Sequence, residues 1–154
     1  MLLPNKKYNI IYADPPWHFE NWNNKTAQTN PNQHYPTMTM KDIANMKVND
    51  IAADDCVLFM WCTDPLLDKQ LPIVKDWGFT YKTVAFHWVK TNKDKTKNYY
   101  FKGPGYWTRA NNEICVLATK GKPKRVSGNV DRLVISERRE PVSYTHLTLP
   151  TTKN

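Results

Sequence analysis

The sequence feature that most constrains the fold is a short apolar stretch that two prolines end abruptly. Residues 8–13, which read Tyr-Asn-Ile-Ile-Tyr-Ala, predict a buried strand. Asp14, Pro15, Pro16 and Trp17 follow directly, and neither proline can donate a hydrogen bond to a sheet ladder. The strand therefore ends here, and the next side chains lie at its carboxyl end, where α/β sheets bind their ligands.

Beyond this strand the sequence predicts helices that alternate with further strands. Thr39, followed by an acid three residues later, predicts a capped helix that ends near Met46. A second helix is expected from Asp64, its cap, to Gly78, and Pro72 is expected to bend or interrupt it. The remaining predicted strands are residues 56–61, 79–90, 113–118 and 130–135. Strands separated by helices indicate one α/β domain with crossover connections.

Length and composition exclude several classes of protein. With 154 residues, 40% hydrophobic and 23% charged, the chain suits one compact domain rather than a disordered segment. It has no apolar run near the ~20 residues of a membrane span, and its start lacks a secretory signal. Its three cysteines have no CxxC spacing, so we expect neither a disulfide framework nor a metal site. These features favour a reduced, cytoplasmic location without membrane contact.

Positive charge is concentrated in the second half of the chain. Residues 1–77 carry seven lysines and nine acids, a net charge of −2, whereas residues 78–154 carry fifteen basic residues and five acids, a net charge of +10. A basic half of this size indicates a polyanionic partner, nucleic acid first, with a merely solvated surface as the alternative. The segment 91–109 mixes lysines with aromatic residues, which suits single-stranded nucleic acid or a disordered linker. Its candidate phosphate-binding residues are Lys93, Lys95 and Lys97.

The four residues after the first strand suit a planar base that bears an amino group. Asp14 presents a carboxylate acceptor, and the two prolines leave preset carbonyl acceptors without backbone donors. Trp17 offers a flat surface on which a base can stack. Adenine N6 and cytosine N4 are the matching amino groups. A plain proline turn after a strand is the alternative.

These residues and several later segments resemble the MT-A70 family of nucleic-acid adenine N6-methyltransferases, which use S-adenosylmethionine. Ala13 to Trp17 resembles the catalytic motif of that family, and the resemblance continues to about Glu140. The later matching segments, in the family's order, are residues 34–38, 58–61, 77–79, 88–90 and 105–109, then Glu113, Gly121 and Pro123. The resemblance implies an α/β, Rossmann-like methyltransferase fold with a circularly permuted order of motifs.

The resemblance also implies a mechanism. Asp14 and the Pro15 carbonyl would accept hydrogen bonds from the adenine N6 amino group, so that its lone pair points at the sulfonium methyl, and Pro16 and Trp17 complete the catalytic motif. Catalysis is then mostly positioning, and no covalent enzyme intermediate is needed. Asp14 and Lys90 are the expected contacts to the cofactor, S-adenosylmethionine.

The other expected substrate contacts each have a simpler alternative. Tyr35 is expected to form a wall of the active site or to serve packing alone. Lys90 is expected to reach the cofactor carboxylate or the substrate, or to be solvated. Arg109 and Glu113 flank the predicted fourth strand and could instead form a surface ion pair with each other. Three further aromatic residues are expected to serve the core, namely Trp61, Trp77 and Trp88.

The end of the chain departs from the family pattern. Residues 1–140 are expected to form a partial MT-A70-like domain, and residues 141–154 resemble translated adapter sequence rather than native protein. A genuine divergent terminus is the alternative. In the family, the segment after this point supplies much of the cofactor pocket, so we expect a fold incomplete at its C-terminus and no activity of the chain as given.

Three functions are compatible with the sequence. The first is S-adenosylmethionine-dependent methylation of adenine N6 in DNA or RNA. The second is a catalytically inactive, nucleic-acid-binding member of the same fold, which the intact carboxylate of Asp14 disfavours. The third is an unrelated basic binding module in which the proline motif is a turn.

Overall fold

The structure, a computed structural model, describes residues 3–18 and 37–138. Within these ranges five strands form one mixed sheet, and short helices connect them. The strands are β1 (Tyr8–Ala13), β2 (Ala52–Cys62), β3 (Thr80–Thr91), β4 (Asn112–Lys120) and β5 (Leu133–Glu137). The helices are α1 (Met40–Ala44), α2 (Val48–Ile51) and α3 (Leu67–Asp76), with a 3₁₀ turn (Asp64–Leu66) before α3. The predicted α/β class is confirmed.

The order of the strands places most carboxyl ends at one edge of the sheet. The order is β1-β2-β4-β3-β5, with β1 parallel to β2 and β3 parallel to β5. β4 lies between β2 and β3 and is antiparallel to both. We call the edge where β1, β2, β3 and β5 end and β4 begins the carboxyl edge. The connection from β3 to β4 needs no crossover helix, because the two strands are antiparallel neighbours.

Capping chemistry determines the helix starts. Thr39 caps α1 as predicted, since the Asp42 N–H donates to its hydroxyl over 3.1 Å. The second predicted helix begins differently: the side chain of Gln70 accepts from the Thr63 N–H and donates to the Thr63 hydroxyl, both over 3.0 Å. A 3₁₀ turn therefore precedes α3, and Asp64 lies inside that turn rather than capping the helix.

Pro72 does not interrupt α3, contrary to one of the two expected effects. The helix continues from Leu67 to Asp76 with the proline inside it. Ile73 and Val74, directly after the proline, are buried in the core, and this burial stabilises the helix where the proline lacks a donor. The helix ends as predicted at Gly78, whose φ of +84° suits glycine.

The helices pack on one face of the sheet and form the core there. Alternate residues of β1 and β2 point to this face and are buried, among them Ile11, Leu58 and Met60. Trp77, at the end of α3, is 2% exposed and donates its indole N–H to the Ile43 carbonyl over 2.9 Å. Trp77 therefore serves the core, as predicted.

The opposite face of the sheet, which we call the open face, carries large apolar side chains that are exposed or half-buried. Cross-strand register places them side by side, and they are Ile10, Tyr12, Val57, Phe59, Trp61, Phe86, Trp88, Leu117 and Val134. The edge strand β5 is exposed along its whole length. In the described ranges the apolar core lies on the helical face alone, whereas sheets made only of parallel strands are covered on both faces.

No helix in residues 3–18 and 37–138 has the length and apolar character needed to cross a bilayer.

Gly121 is required by the turn that follows β4, and its replacement should be costly. Its φ is +65°, and a Cβ at this position would lie 2.2 Å from the Asp54 carbonyl oxygen. We expect Gly121→Ala to lower the free energy of unfolding by about 2 kcal/mol or more, measured by urea denaturation. Gly128→Ala is the control, because its Cβ would meet only the Arg125 side chain, at 3.3 Å. Equal losses in both variants would contradict this account.

Candidate active site

The proline motif forms a tight turn directly after β1, at the carboxyl edge. The Trp17 N–H donates to the Pro15 carbonyl over 2.8 Å, and the Met38 N–H donates to the Pro16 carbonyl over 2.9 Å. Each carbonyl oxygen has two lone pairs, so the Pro15 oxygen can accept a second hydrogen bond from a ligand. The carboxyl group of Asp14 lies immediately before this oxygen in the chain. The turn thus presents two neighbouring acceptors.

Trp17 has a different role from the stacking surface expected from sequence. It is 7% exposed, and its indole N–H donates to the Trp61 carbonyl over 3.1 Å. Its backbone also forms a parallel bridge with Met38. Since its ring is packed in the core, no base can lie on it, and the expected stacking role is wrong. Trp17 instead ties the proline turn to β2, which makes it a positioning residue.

The surroundings of the Asp14 carboxyl group raise its pKa from the ordinary 3.8 to about 6. The residue as a whole is exposed, yet protein atoms crowd its carboxyl group, and this desolvation is the main cause. The negative charge of Glu113 raises the pKa further, and the positive charge of Lys90 lowers it. The strand registers place the ends of β1 and β3 and the start of β4 at the carboxyl edge, and Asp14, Lys90 and Glu113 form one charged cluster there.

Lys90 and Glu113 form an ion pair across β3 and β4. Their side chains are 21% and 39% exposed, so the pair is partly shielded from water. The alternative that Glu113 pairs with Arg109 is wrong, because Glu113 contacts Lys90 and Arg109 lies exposed in the preceding connection. The register explains the pairing: Trp88 lies opposite Glu113, and Lys90 is two residues further along the same face.

Three aromatic rings form a row beside the cluster on the open face, and we call them the aromatic row: Tyr12, Trp61 and Trp88. The ring centroids of Tyr12 and Trp61 are 6.5 Å apart, and those of Trp61 and Trp88 are 6.3 Å apart. Both pairs have edge-to-face geometry. Trp61 donates its indole N–H to the Tyr12 hydroxyl, and the Lys90 ammonium lies 4.9 Å from the Trp88 ring. Trp61 and Trp88 are only half-buried here, so their predicted place in the core is wrong.

Tyr12 is the site residue that the sequence reasoning missed. The signal for it was the alternation within β1, where Ile11 and Ala13 are buried and Tyr12 is 43% exposed. Side chains alternate between the two faces along a strand, so Tyr12 lies on the opposite face from its buried neighbours Ile11 and Ala13. It is two positions before Asp14, the acidic residue of the motif.

The connection from β3 to β4 folds back on the end of β3. The Asn92 N–H donates to the Tyr99 carbonyl and the Phe101 N–H donates to the Lys90 carbonyl, over 3.0 and 2.9 Å. The connection is therefore an ordered extension of the sheet edge and not a disordered linker. Its predicted phosphate-binding residues are all exposed, namely Lys93, Lys95 and Lys97. Lys95 also lies 3.8 Å from the Glu137 carboxylate and 5.7 Å from the Tyr99 ring.

The three cysteines, Cys56, Cys62 and Cys115, are free and buried. Burial raises the pKa of the Cys62 and Cys115 thiols to about 12, so both are protonated at neutral pH and are not nucleophiles. No group of three or more potential metal ligands occurs in residues 3–18 and 37–138. Tyr35 and residues 141–154, for which the sequence made predictions, lie outside the described residues.

The sequence matches a known family over most of its length. The family model MT-A70 matches residues 8–146. Type II methyltransferase M.MunI from Mycoplasma sp is 35% identical over 135 residues, which are 78% of this chain and 54% of that protein. The N6-adenosine-methyltransferase non-catalytic subunit MTB from Arabidopsis thaliana is 28% identical over 142 residues, 88% of this chain and 18% of that protein. The chain thus spans about half of the first relative and about a fifth of the second.

A third relative is similar over a comparable share of the chain. The N(6)-adenosine-methyltransferase MT-A70-like protein from Drosophila melanogaster is 27% identical over 132 residues, which are 84% of this chain and 19% of that protein. The matched residues include the proline turn and the Lys90–Glu113 pair, since the family match covers both.

The raised pKa of Asp14 predicts a stability that depends on pH. Because the folded pKa is about 6 and the unfolded value is 3.8, ionisation costs stability as pH rises through this range, and the loss is complete above the folded value. Asp14→Asn should therefore unfold at higher urea than the wild type at about pH 8, and at similar urea at about pH 4.

Asp94→Asn is the matched control for this prediction. Hydrogen bonds from Thr96 lower the pKa of the exposed Asp94 carboxyl group, so its ionised form is favoured in the folded chain. Its replacement should lower the urea midpoint at about pH 8 rather than raise it. A change of the same sign in both variants would contradict a desolvated Asp14 carboxyl group.

Proposed function

Because the chain belongs to the MT-A70 family, we propose that it transfers a methyl group from S-adenosylmethionine to N6 of adenine in DNA or RNA. The observation that carries the proposal is the pair of neighbouring acceptors after β1, the Asp14 carboxyl group and the Pro15 carbonyl. Two acceptors suit the two N–H groups of an adenine N6 amino group. Family membership also shows that the third alternative, an unrelated basic binding module, is wrong.

The acceptors would orient the amino group for transfer. The N6 lone pair is delocalised into the purine ring, so hydrogen bonds from N6 to Asp14 and Pro15 favour a pyramidal nitrogen whose lone pair is free to react. As the new N–C bond forms and the S–CH3 bond breaks, positive charge would pass from the sulfonium to this nitrogen, where the carboxylate of Asp14 would stabilise it. The nitrogen would then lose one proton to solvent, which leaves a neutral N6-methyladenine and a neutral thioether. Because the pKa of Asp14 is about 6, the carboxyl group is mainly ionised at neutral pH. Catalysis by these groups is positioning and electrostatics.

The described residues fit part of S-adenosylmethionine, which when bound supplies the methyl group. Lys90 has the charge to hold its carboxylate, although Glu113 already neutralises this ammonium. Asp14 and the aromatic row lie at the same edge. They would hold the sulfonium group of S-adenosylmethionine and the rings of its adenosine part. We therefore propose Asp14 and Lys90 as cofactor contacts. We also propose that Tyr35, whose role the family resemblance implies, forms a wall of the site.

The substrate would reach this edge along basic residues. Lys93, Lys95, Lys97 and Arg109 are exposed in the connection between β3 and β4 and are proposed to contact phosphates. An adenine in a single strand could enter directly, whereas an adenine in a duplex must first be flipped out. DNA and RNA remain alternative substrates, since the relatives include a type II methyltransferase and N6-adenosine-methyltransferase proteins.

We also propose that residues 1–154 alone do not bind S-adenosylmethionine measurably. In the described residues the open face leaves apolar side chains uncovered, and Lys90 is the only proposed cation for the cofactor. Grafting the C-terminal segment of M.MunI after Glu140 should restore both binding and stability. Calorimetric titration of S-adenosylmethionine into the two chains measures this difference. Micromolar binding by the 154-residue chain would show that residues 141–154, where the family match ends, are a working terminus.

Asp14 variants of the grafted chain test the proposed reaction. Asp14→Ala removes the acceptor and Asp14→Asn replaces one oxygen with a donor, so both should reduce transfer of labelled methyl to an adenine-containing oligonucleotide at least a hundredfold, roughly the contribution of one well-placed polar group. Wild-type transfer should also fall as pH drops below about 6, because Asp14 becomes protonated.

The same assay separates the remaining alternative. Asp50→Asn, a substitution of an exposed acid in α2, is the control and should leave transfer unchanged. If the unmodified grafted chain binds the oligonucleotide without methylating it, the chain is a non-catalytic member of the family. If it methylates at equal rates with and without the Asp14 carboxylate, the proposed mechanism is wrong.

A further inference from the structure

Two aromatic side chains on the turn from Gly103 to Ala110 project into solvent. Trp107 is 100% exposed and Tyr106 is 66% exposed. A fully exposed indole is unusual, because tryptophan is highly buried on average and its large apolar surface is costly to leave in water. Exposed apolar surface that is contiguous and bordered by polar residues marks contact surfaces, and the adjacent rings of Tyr106 and Trp107 form such a patch on this turn.

The backbone of this turn is closed and anchored, so the two rings are held away from the protein. The Gly103 N–H donates to the Ala110 carbonyl over 2.7 Å, which pairs the two ends of the turn. Within it, a Cβ on Gly105 would lie 1.9 Å from the Thr108 carbonyl oxygen, so the chain is folded too tightly for a side chain there. The Phe101 ring packs beneath Gly103. A contact made by such a turn costs little conformational entropy.

The turn lies next to the charged cluster. Ala110 precedes Glu113 by three residues, an extended distance of about 10 Å. The Lys90 N–H donates to the Asn111 carbonyl over 3.0 Å, which fixes the end of the turn on β3. The turn that carries Trp107 therefore leads directly into the start of β4 at the carboxyl edge, where Glu113 and Lys90 form their ion pair.

The composition around the rings indicates what they contact. Residues 92–111 contain five basic residues and one acid, and Trp107 is followed by Thr108 and Arg109. A protein interface would surround the indole with a continuous apolar core, which these neighbours do not provide. An aromatic ring that projects from a basic segment is the arrangement that binds single-stranded nucleic acid, because phosphates contact the cations and bases stack on the ring.

We propose that Trp107, with Tyr106 beside it, stacks on the base next to the target adenine in a single strand. The inference rests on the proposed function, since it assumes that the strand reaches the Asp14 site. It assigns to this turn the stacking role that buried Trp17 cannot fill. The stack fixes the position of the strand relative to Asp14 and is tolerant of the identity of the neighbouring base.

Fluorescence anisotropy with short single strands tests the stack. One strand contains a single adenine with intact neighbours, and two others carry an abasic site on the 5′ or the 3′ side of that adenine. Trp107→Ala should weaken binding of the intact strand about tenfold to a hundredfold, the loss expected when one base loses its platform. Trp107→Ala should have little effect on the affinity for the abasic strand that lacks the stacked base. Trp107→Phe should retain most of the affinity for the intact strand.

Two sets of variants serve as controls. Tyr81→Ala removes a 44% exposed aromatic residue at the opposite end of β3 and should leave affinity unchanged. Reversing Lys93, Lys95 and Lys97 to Glu should weaken binding equally for intact and abasic strands and reduce its salt dependence, because phosphate contacts carry no base information. Circular dichroism checks folding, which replacement of a fully exposed side chain should not disturb.

The outcomes separate this inference from the proposed function. If the wild type binds no strand at all, the nucleic-acid function itself fails. If the wild type binds and Trp107→Ala binds equally well, or loses the same factor on all three strands, the stack alone is wrong. If sedimentation shows a dimer that only Trp107→Ala dissociates, the turn is an interface between two copies, which also overturns the stack.

Discussion

The antiparallel pairing of β4 with both β2 and β3 is the constraint on which the site depends. Because β4 runs against its neighbours, its first residues lie where the other strands end, and Glu113 meets Lys90 across the sheet. Asp14, at the end of β1, lies at the same edge. A carboxyl group that is crowded by protein atoms and faces a second acid has a raised pKa, and Lys90 offsets only part of this effect. The sheet topology thus adds the effects of two charges to the desolvation that raises the pKa of Asp14.

The one-sided burial of the sheet has a second consequence. The helices cover the face that contains Leu58 and Met60, while the aromatic row lies on the open face beside the charged cluster. In the described residues, the apolar side chains that stay uncovered on this face are therefore among those beside the candidate site. Burial of these apolar side chains would stabilise the sheet, so any group that covers the open face would do so directly beside the candidate site.

The chemistry available at this edge is that of orientation rather than of covalent attack. The two thiols beside the site are protonated because burial raises their pKa values to about 12. What the edge provides is an acceptor pair, a balanced charge cluster and aromatic surfaces, and these suit the transfer of a group between two bound molecules. The relatives include a methyltransferase and a non-catalytic subunit, so the fold alone does not determine activity. The carboxylate of Asp14 is the group on which activity in this chain would depend.

The sequence by itself determined the proline motif and several ends of strands and helices, because these depend on local chemistry. Two prolines must end β1, a threonine with an acid three residues later must cap α1, and a glycine must end α3. The acceptor residues Asp14 and Pro15 follow from the same local reasoning. Pro72 shows the limit of local reasoning. A proline inside a helix is expected to interrupt it, but the burial of Ile73 and Val74 stabilises this helix.

Only the tertiary structure decided which side chains meet. Nothing local predicts that Glu113 pairs with Lys90 rather than Arg109, since the pair depends on the register of β3 against β4. Burial also differs from the expectation for the tryptophans. Trp17, expected to stack on a base, is buried in the core, whereas Trp61 and Trp88, expected in the core, are half-buried beside the site. The physical reason is that composition makes an aromatic residue suitable for either place, whereas strand direction and the side on which the helices pack assign it to one.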